Sequence, residues 1–550
     1  MYALPGRRPP VLIELDLTRP PVSPPATDRL SRMASRGRPR LSDVLRTLHE
    51  ASADPEVVGL VAKVGGPLPW ATMQELRLGV RAFAGSGKPT VAWAESFGEG
   101  SGDMTAYVLA TAFDHIWLQP SGELGMLGVA VETTFLRGAL DRLGIEPQLE
   151  QRHEFKNAAD RVMRGEFTDA HRASLERLTG SVFDDAVDMI AEARELEPSA
   201  VRTLVDTGPR LAHEAVAAGL VDRLGYRDEV LSALRTRTRS DAELLFAERW
   251  RPRRSPAAAL HRSGPHRSAH VALVEVRGTI VTGRSRRGPM GSLVGSDSVG
   301  AALRAAADDE GAKALVLRID SPGGSAVASD TIWREVCRVR DSGKPVIVSM
   351  GAVAASGGYF IACPADVIVA LPSTLTGSIG VFGGKLVSRE LLDRIGLTTG
   401  TVSQGEHSLM HSTRHGFSDD ERDRLGASLD AIYTDFVAKV AQGRRRSVAE
   451  VEQVARGRVW TGSDARVHGL VDELGGLRDA IAIARRRTGL PDDARVRLAP
   501  HLGPLARLGR PRSSEDPRAA MATTQALSDV AIAIGVPPAL ELRMPGVTLH

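Results

Sequence analysis

Short apolar runs alternate with amphipathic stretches between residues 270 and 350. The runs at 271–276, 314–319 and 346–349 are typical of buried strands. Between them, residues 298–307 and 329–340 carry apolar positions at helical spacing. Strands that alternate with helices in this way predict a parallel sheet covered by helices, so we expect an α/β fold.

A second feature of the chain is an internal repeat. Residues 107–120 recur as residues 359–372, at a shift of 252 positions. Further positions match between the two halves: Gly128 with Gly380, Asp141 with Asp393, Arg142 with Arg394, Gly144 with Gly396, and 219–222 with 469–472. A repeat of this length predicts two tandem copies of one domain, produced by an internal duplication.

The repeat also sets the expected domain limits. The first copy is expected at 1–245 and the second at 270–498. Residues 246–269 are rich in Pro and Arg and predict a basic linker. Residues 499–550 predict a partly flexible tail.

Composition indicates an ordinary folded protein. Of the 550 residues 42% are hydrophobic, and the formal net charge is only +3, which argues against a nucleic-acid partner. Cys337 and Cys363 are too few for a disulfide framework and indicate a reducing compartment. The first residues lack the order of a secretory signal, and the uncharged run 345–365 reads as buried core. We expect a cytoplasmic or peripherally membrane-associated protein without a transmembrane anchor.

Two glycine-rich segments follow neighbouring predicted strands. One covers residues 320–324 and the other residues 356–358. Parallel strands end at the same edge of a sheet, so the two segments are expected to lie side by side. The N–H groups of Gly323 or Gly324, together with Gly357, could then point at a developing oxyanion. A pair of tight turns with a capping serine is the structural alternative.

The two copies differ where chemistry could occur. Ser356 of the second copy aligns with Met104 of the first, whereas Lys156 of the first aligns with Ser408 of the second. A hydroxyl and an amine are the parts of a Ser/Lys nucleophile and base pair. The copies therefore look complementary.

Lysine is rare in this chain. Only seven of the 70 Lys and Arg residues are lysines. Arginine stays protonated and cannot serve as a base, so Lys156 has a chemical use that the many arginines lack. If it is buried, its pKa falls and it could accept the Ser356 proton near neutral pH.

Three motifs resemble those of a known family. They are Asp320-Ser-Pro-Gly-Gly324, Ala354-Ala-Ser-Gly-Gly-Tyr359 and Thr376-Gly-Ser-Ile-Gly-Val381, and the first copy adds Phe155-Lys-Asn-Ala158. In this order they resemble the signal peptide peptidase A (protease IV) family, peptidase family S49, in its long, duplicated form. The resemblance covers about residues 10–490.

The resemblance implies a Clp protease/crotonase-like fold in each copy and a bowl-shaped homotetramer. It implies roles for five residues: Ser356 as nucleophile, Lys156 as general base, Ser378 as a hydroxyl that holds the lysine, and Gly323 and Gly357 as oxyanion donors. Long family members usually begin with a membrane anchor, which is not visible here. In short members the lysine lies in the same copy as the serine, at the position that Ser408 occupies in this chain.

The residues leave other interpretations open. His407, His411 and His415 recur at four-residue intervals and could bind a metal or supply a base to Ser356. The arginines of the linker could touch anionic lipid headgroups. A crotonase-like acyl-CoA enzyme would need the same backbone amides without a nucleophile, and a non-catalytic scaffold would need neither.

We expect a serine endopeptidase that degrades apolar peptides, such as released signal peptides, through an acyl-enzyme. This chemistry requires no metal and no cofactor. The expected partners are peptides and further copies of the chain, with possible peripheral membrane contact.

Overall fold

A computed structural model of the chain describes residues 9–22, 38–99, 104–252, 269–288 and 291–500, together with 513, 516, 518 and 541–543. Most of the expected linker and most of the expected tail lie outside the described residues. The chain divides into two compact units. The first comprises residues 1–130 and 179–266 with 549–550, and the second comprises residues 131–178 and 267–548. Lys156 therefore belongs to the same unit as Ser356.

The strands of the described residues are, in chain order, β1 (Val11–Asp16), β2 (Val57–Lys63), β3 (Thr90–Ala94), β4 (His115–Leu118), β5 (Glu123–Leu124), β6 (Glu146–Gln151), β7 (Arg210–Leu211), β8 (Arg223–Leu224), β9 (Glu243–Phe246), β10 (His270–Arg277), β11 (Thr279–Val281), β12 (Arg286–Gly288), β13 (Gly291–Gly295), β14 (Ala312–Ser321), β15 (Gly323–Ser325), β16 (Val346–Ala355), β17 (Val367–Ala370), β18 (Leu375–Gly377), β19 (Phe382–Val387), β20 (Val459–Trp460), β21 (Glu473–Leu474), β22 (Val496–Leu498) and β23 (Glu541–Arg543).

The helices are α1 (Leu41–Ala53), α2 (Trp70–Ala84), α3 (Thr105–Ala110), α4 (Arg137–Leu143), α5 (Asp160–Met163), α6 (Asp169–Arg194), α7 (Pro198–Asp206), α8 (Ala212–Ala217), α9 (Arg227–Arg237), α10 (Ser296–Asp308), α11 (Ala326–Asp341), α12 (Gly357–Ala362), α13 (Arg389–Arg394), α14 (Asp419–Arg444), α15 (Val448–Val454), α16 (Gly462–Val467) and α17 (Leu477–Thr488). A short 3-10 helix covers Asn157–Ala159.

The first unit is built on a parallel sheet with the strand order β8-β4-β3-β2-β1-β9. Apolar side chains on both faces of this sheet form the core of the unit. Helices α1 and α2 pack against one of the two faces. Strands as apolar as β3, in which all five residues are buried, are expected where helices cover both faces of a parallel sheet.

The second unit repeats this plan. Its main sheet has the order β20-β18-β16-β14-β10-β22, and β17 pairs with both β16 and β21. Strands β14 and β16 are parallel neighbours that pair from Leu315–Val346 to Ser321–Ala354, with a shift of register after Ile319. Their carboxyl ends therefore lie together, as the sequence predicted. The predicted α/β class and the tandem arrangement are confirmed.

A second sheet in this unit has the order β12-β13-β11-β15-β23-β19-β6. Its short strand β15 follows β14 after a single residue and leads into α11. The sequence predicted only a glycine turn here. The glycines instead extend the chain along the edge of β11, where Gly324 pairs with Ile280.

The secondary structure predicted for residues 270–350 is confirmed with small changes of boundary. The predicted strand at 346–349 continues to Ala355 as β16, and the predicted helix at 329–340 begins earlier, at Ala326. The uncharged run 345–365 contains the whole of β16 and α12, and its side chains lie mostly in the main core of the second unit. Among the described residues, no helix is both long and apolar enough to cross a membrane.

Candidate active site

Ser356 lies between the end of β16 and the start of α12. Its side chain is fully buried, and its backbone has φ 55° and ψ −117°, a conformation that residues with a side chain rarely adopt. The Ser356 N–H donates to the carbonyl of Gly377 at 2.8 Å, which fixes this turn to β18. The hydroxyl does not cap α12. The alternative of a capping serine is therefore wrong, and the hydroxyl is available to a base.

Lys156 approaches Ser356 from the segment between β6 and the 3-10 helix. Its Nζ atom lies 2.8 Å from Ser356 Oγ, 3.0 Å from Ser378 Oγ and 2.9 Å from the Ser378 carbonyl oxygen. The lysine is fully buried, with 0% of its surface exposed. Burial disfavours the charged ammonium and lowers the Lys156 pKa well below its usual value. A neutral amine can accept one hydrogen and donate two, which matches these three contacts.

The backbone conformation of Ser378 and a hydrogen bond from its N–H fix the position of this residue. It has φ 50°, and its N–H donates to the carbonyl of Arg458 at 2.7 Å. The residue stands just after β18, the strand that also receives the Ser356 N–H. One strand end therefore positions both hydroxyls that contact Lys156.

Two glycines provide the space for Lys156. A Cβ atom on Gly457 would lie 2.5 Å from the Lys156 backbone nitrogen, and one on Gly380 would lie 3.2 Å from Lys156 Cδ. Gly457 also has φ 84°, which favours glycine independently of space. The sequence predicts no role in the site for either glycine. Gly380 belongs to a motif that was identified, whereas no sequence signal pointed to Gly457.

Side-chain contacts hold the segment that precedes Lys156. The Arg152 guanidinium pairs with Asp430 of α14, and the His153 ring lies 4.4 Å from the Tyr433 ring on the same helix. The Phe155 ring carries the Arg458 guanidinium 4.1 Å from its centroid. These contacts join the segment to α14 and to Arg458.

The two glycine-rich segments touch each other, as predicted. A Cβ atom on Gly357 would lie 3.2 Å from both Gly323 Cα and Gly324 N, and 2.5 Å from Ser329 Oγ. The N–H of Gly357 is at the first position of α12, where an intrahelical acceptor does not exist. The N–H of Gly323 donates to Ser321 Oγ at 3.2 Å.

An extended segment lies beside these glycines. Strand β23 is antiparallel to β15, with Gly323 opposite residue 543 and Ser325 opposite residue 541. Residue 541 also pairs with Phe382 of β19. The space between β15 and β19, which we call the strand slot, therefore accepts one extended strand next to Ser356.

Comparison with known sequences identifies the family. A family model described as peptidase family S49 matches residues 82–240 and 338–490. The chain belongs to peptidase family S49. The resemblance recognised from the motifs is thereby confirmed, and the protein is a peptidase by family.

Two relatives by sequence agree with this assignment. The chain is 31% identical over 454 residues to the chloroplastic serine protease SPPA of Arabidopsis thaliana, covering 82% of this chain and 66% of that protein. It is 31% identical over 461 residues to protease 4 of Salmonella typhi, covering 81% of this chain and 71% of that protein. A solved ClpP1 mutant of Listeria monocytogenes is similar at 16% identity with a TM-score of 0.25, over 38% of this chain and 94% of that one.

A buried polar network lies behind the lysine of this S49 peptidase. Asp160 Oδ2 accepts a hydrogen bond from Asn157 Nδ2 at 3.0 Å and lies 3.1 Å from His171 Nδ1. Thr168 Oγ1 is 3.5 Å from the same oxygen. Asn157 is the residue after Lys156, so the network fixes the backbone at the lysine. No local sequence signal points to Asp160 or His171, because nothing in the pattern marks a carboxylate as buried.

The positions that align with Ser356 and Lys156 in the repeat carry no equivalent group. Met104, which aligns with Ser356, is buried in the core of the first unit. Ser408, which aligns with Lys156, is exposed in an irregular segment between α13 and α14. Of these aligned positions, Ser356 and Lys156 meet in the structure, and both lie in the second unit.

The histidine alternative receives no support from the described residues. His407, His411 and His415 lie in turns, where helical spacing does not bring them to one face. His407 Nε2 is 3.1 Å from Asp420 Oδ2 of α14. No group of three or more His, Cys, Asp or Glu side chains with the geometry of a metal site occurs in the part of the chain that is described.

Proposed function

We propose that this S49 peptidase is a serine endopeptidase with Ser356 as nucleophile and Lys156 as general base. The observation that carries the proposal is the 2.8 Å separation of Lys156 Nζ and Ser356 Oγ at a fully buried position. A base must lie within hydrogen-bond reach of the proton that it abstracts, and its pKa must suit the working pH. Burial of Lys156 supplies the second condition by lowering its pKa.

The chemistry proceeds in two halves. Lys156 takes the Ser356 proton as Oγ attacks the scissile carbonyl carbon, and the tetrahedral intermediate places its negative charge on the former carbonyl oxygen. Lys156 then gives the proton to the leaving amine, the C–N bond breaks, and an ester to Ser356 remains. Water repeats the sequence: it loses a proton to Lys156, attacks the ester and releases the peptide acid, and Ser356 regains its proton.

Ser378 has the role of orienting the amine. Its carbonyl oxygen and hydroxyl take up the remaining directions around Nζ, so the lone pair is aimed at Ser356 Oγ. The oxyanion is stabilised by the N–H of Gly357, together with that of Gly323 or Gly324. Each such donor is worth about 10²–10³ in turnover when it is correctly placed.

The strand slot supports an extended peptide as substrate. Strand β23 already pairs through its backbone with β15, and a substrate that replaced it would form the same main-chain hydrogen bonds. A peptide bound in this way would pass beside Ser356 without needing a defined sequence. Apolar peptides, including released signal peptides, are the substrate class that we propose, and a homotetramer is the proposed assembly.

Active-site labelling tests the proposal. A fluorophosphonate probe should label the wild type and leave Ser356→Ala unlabelled, while Ser408→Ala, a change at an exposed serine, should label normally. Hydrolysis of a fluorogenic apolar peptide should fall by several orders of magnitude in Ser356→Ala alone. Equal labelling or equal turnover in Ser356→Ala would refute the assignment of the nucleophile.

A further inference from the structure

The ladder between β14 and β16 contains a bulge close to the candidate site. Two successive pairs, Ile319–Met350 and Ser321–Ala354, are two residues apart on β14 but four residues apart on β16. Residues 351–353 of β16 therefore lie opposite a single residue of β14. A bulge of this kind bends its strand and re-aims the side chains near it. The bulge lies at the end of β16, just before the turn that leads into α12.

Asp320 is the residue of β14 that faces this bulge. Its Oδ1 atom accepts the N–H of Val353 at 3.2 Å, so the carboxylate takes the place of a backbone acceptor. The Asp320 carbonyl accepts the N–H of Gly278, which follows β10, at 2.9 Å. A backbone N–H without an acceptor costs free energy when it leaves water. Asp320 therefore stabilises one particular shape of the bulge.

Gly351 provides the space for the carboxylate. A Cβ atom on Gly351 would lie 2.9 Å from Asp320 Cγ and 3.1 Å from Asp320 Cβ. The Gly351 carbonyl accepts a hydrogen bond from Thr374 Oγ1 at 2.7 Å, and Thr374 immediately precedes β18. The bulge is thus held from β14 on one side and from the start of β18 on the other.

The contact between Asp320 and Val353 lies at the same distance along the chain from both glycine-rich segments. Asp320 is three residues before Gly323, and Val353 is three residues before Ser356. One further pair of the ladder lies between the bulge and the site. Because so few residues intervene, a change in the shape of the bulge moves Ser356 relative to Gly323.

The first copy of the repeat differs at both positions. Continuing the repeat along β2 and β3 puts Gly65 in the place of Asp320 and Glu95 in the place of Gly351. Glu95 forms an ion pair with Lys63 at 2.9 Å, and the pairs of β2 with β3 end at Lys63 with no shift of register. The copy that has methionine at the aligned serine position therefore also lacks this carboxylate and this glycine.

We propose that Asp320 is a positioning residue for the hydrolysis: its carboxylate fixes the bulge of β16 and thereby the distance between Ser356 Oγ and the oxyanion donors. This role rests on the proposed function, because it concerns the same site. Asp320 contacts β16 and the residue after β10, whereas the strand slot lies between β15 and β19. Loss of the carboxylate should therefore slow the chemical step and leave peptide binding nearly unchanged.

Asp320→Ala tests this role against a matched control at the other end of the same strand. Asp366 Oδ2 accepts the N–H of Val346 at 2.8 Å, about 30 Å before Ser356 along β16. Asp366→Ala thus removes a bond of the same kind far from the site. For a fluorogenic apolar peptide, kcat should fall about 10²-fold in Asp320→Ala with KM within about twofold, and both should stay near wild type in Asp366→Ala. Equal kcat in the two variants would overturn the proposal.

Two further variants separate positioning from folding. Asp320→Asn keeps an oxygen that can accept the Val353 N–H, so it should recover most of the lost kcat. Gly351→Ala keeps the carboxylate and displaces it, so it should lower kcat, with Gly180→Ala, where open space surrounds the glycine, as its control. If Asp320→Asn were as slow as Asp320→Ala, or Gly351→Ala as fast as Gly180→Ala, the bulge would not set the turnover rate.

Labelling of Ser356 distinguishes failure of this role from failure of the proposed function. The rate of fluorophosphonate labelling should fall in Asp320→Ala, while labelling still reaches completion, and Ser356→Ala should stay unlabelled. Equal labelling of Ser356→Ala and wild type would refute the nucleophile itself. An unlabelled Ser356→Ala protein together with a wild-type labelling rate in Asp320→Ala would refute the role of Asp320 alone.

Discussion

The Nζ atom of Lys156 lies 2.8 Å from the Oγ atom of Ser356, although 200 residues separate them in the sequence. Segment 131–178 makes this possible, because it leaves the first sequence copy and packs within the second compact unit. A lysine on this segment can then be enclosed by Gly380 and Gly457 of the second copy. The isolated second copy would contain Ser356, the proposed nucleophile, without Lys156, the proposed base.

A lysine base predicts a specific response to substitution and to pH. Lys156→Arg should be as inactive as Lys156→Ala, since arginine keeps the charge and cannot accept a proton. In the wild type, kcat/KM should rise as the pH increases through the lowered Lys156 pKa, because only the neutral amine is active. At pH values below that pKa, kcat/KM should be low. Steady-state kinetics across pH measure both effects.

A histidine base would behave differently. Its acidic limb would lie near the unperturbed histidine pKa of about 6.5. His407→Ala is the control variant, and loss of the acidic limb in that enzyme would place the base on His407. An active Lys156→Arg enzyme would exclude Lys156 as the base.

The buried lysine also predicts how stability depends on pH. The unfolded chain binds a proton at an ordinary lysine, whereas burial lowers the folded-state pKa. Between the two pKa values the unfolded state holds one more proton, so the free energy of unfolding rises with pH by about 1.4 kcal/mol per unit. Lys156→Met removes this contribution. Its stability relative to the wild type should therefore decline by that slope as pH rises through the mildly alkaline range.

Denaturant unfolding of the second unit at several pH values measures this slope. Lys313→Met, at an exposed lysine, is the control and should run parallel to the wild type. A Lys156→Met protein whose stability also runs parallel to the wild type would show that Lys156 stays charged in the folded enzyme.

Even a methyl side chain at Gly457 should lower the turnover rate. In Gly457→Ala the new Cβ would meet the Lys156 backbone at 2.5 Å, so the lysine must move. A displacement near 1 Å at a catalytic group costs on the order of 10²-fold in rate, and we expect kcat to fall by about that factor. Gly489→Ala is the matched control, since it shares a positive φ of 64° and has open space around it. If the two variants were equally active, Gly457 would have no part in placing the lysine.

Asp160 is expected to act through Lys156. Asp160→Asn removes the carboxylate that Asn157 and His171 contact, which loosens the backbone next to the base. We expect kcat to fall by about 10-fold to 10²-fold with KM nearly unchanged, and the pH limb assigned to Lys156 to shift. Asp420→Asn, which affects an exposed pair with His407, should leave both unchanged. A fall in melting temperature with a normal pH profile would show a purely structural role.

Much of the geometry of the candidate site could be predicted from the sequence. Apolar runs predicted that β14 and β16 are parallel, and the shared edge of such strands places Gly323 and Gly357 side by side. Ser356 and Lys156 emerged because the two copies differ at those positions. Each of these inferences depended on local pattern or on the repeat.

Other features could not be predicted from pattern. Gly457 is distant from Lys156 in the sequence, and its need for space arises only from the folded path of the chain. Asp160 resembles any polar residue near a helix start, and only tertiary packing buries it. The position of β23 between β15 and β19 could not be predicted, because β23 follows a long segment in which the hydrophobic pattern is weak.

The two serines that contact Lys156 both have a positive φ, 55° at Ser356 and 50° at Ser378. Each such conformation costs a residue with a side chain about 1–3 kcal/mol, and glycine would relieve it. A screen that rewards thermal stability alone would therefore favour glycine at these two positions, and each enriched variant would lose a hydroxyl from the lysine. In this fold, the same substitutions at Ser356 and Ser378 should raise thermal stability and abolish hydrolysis.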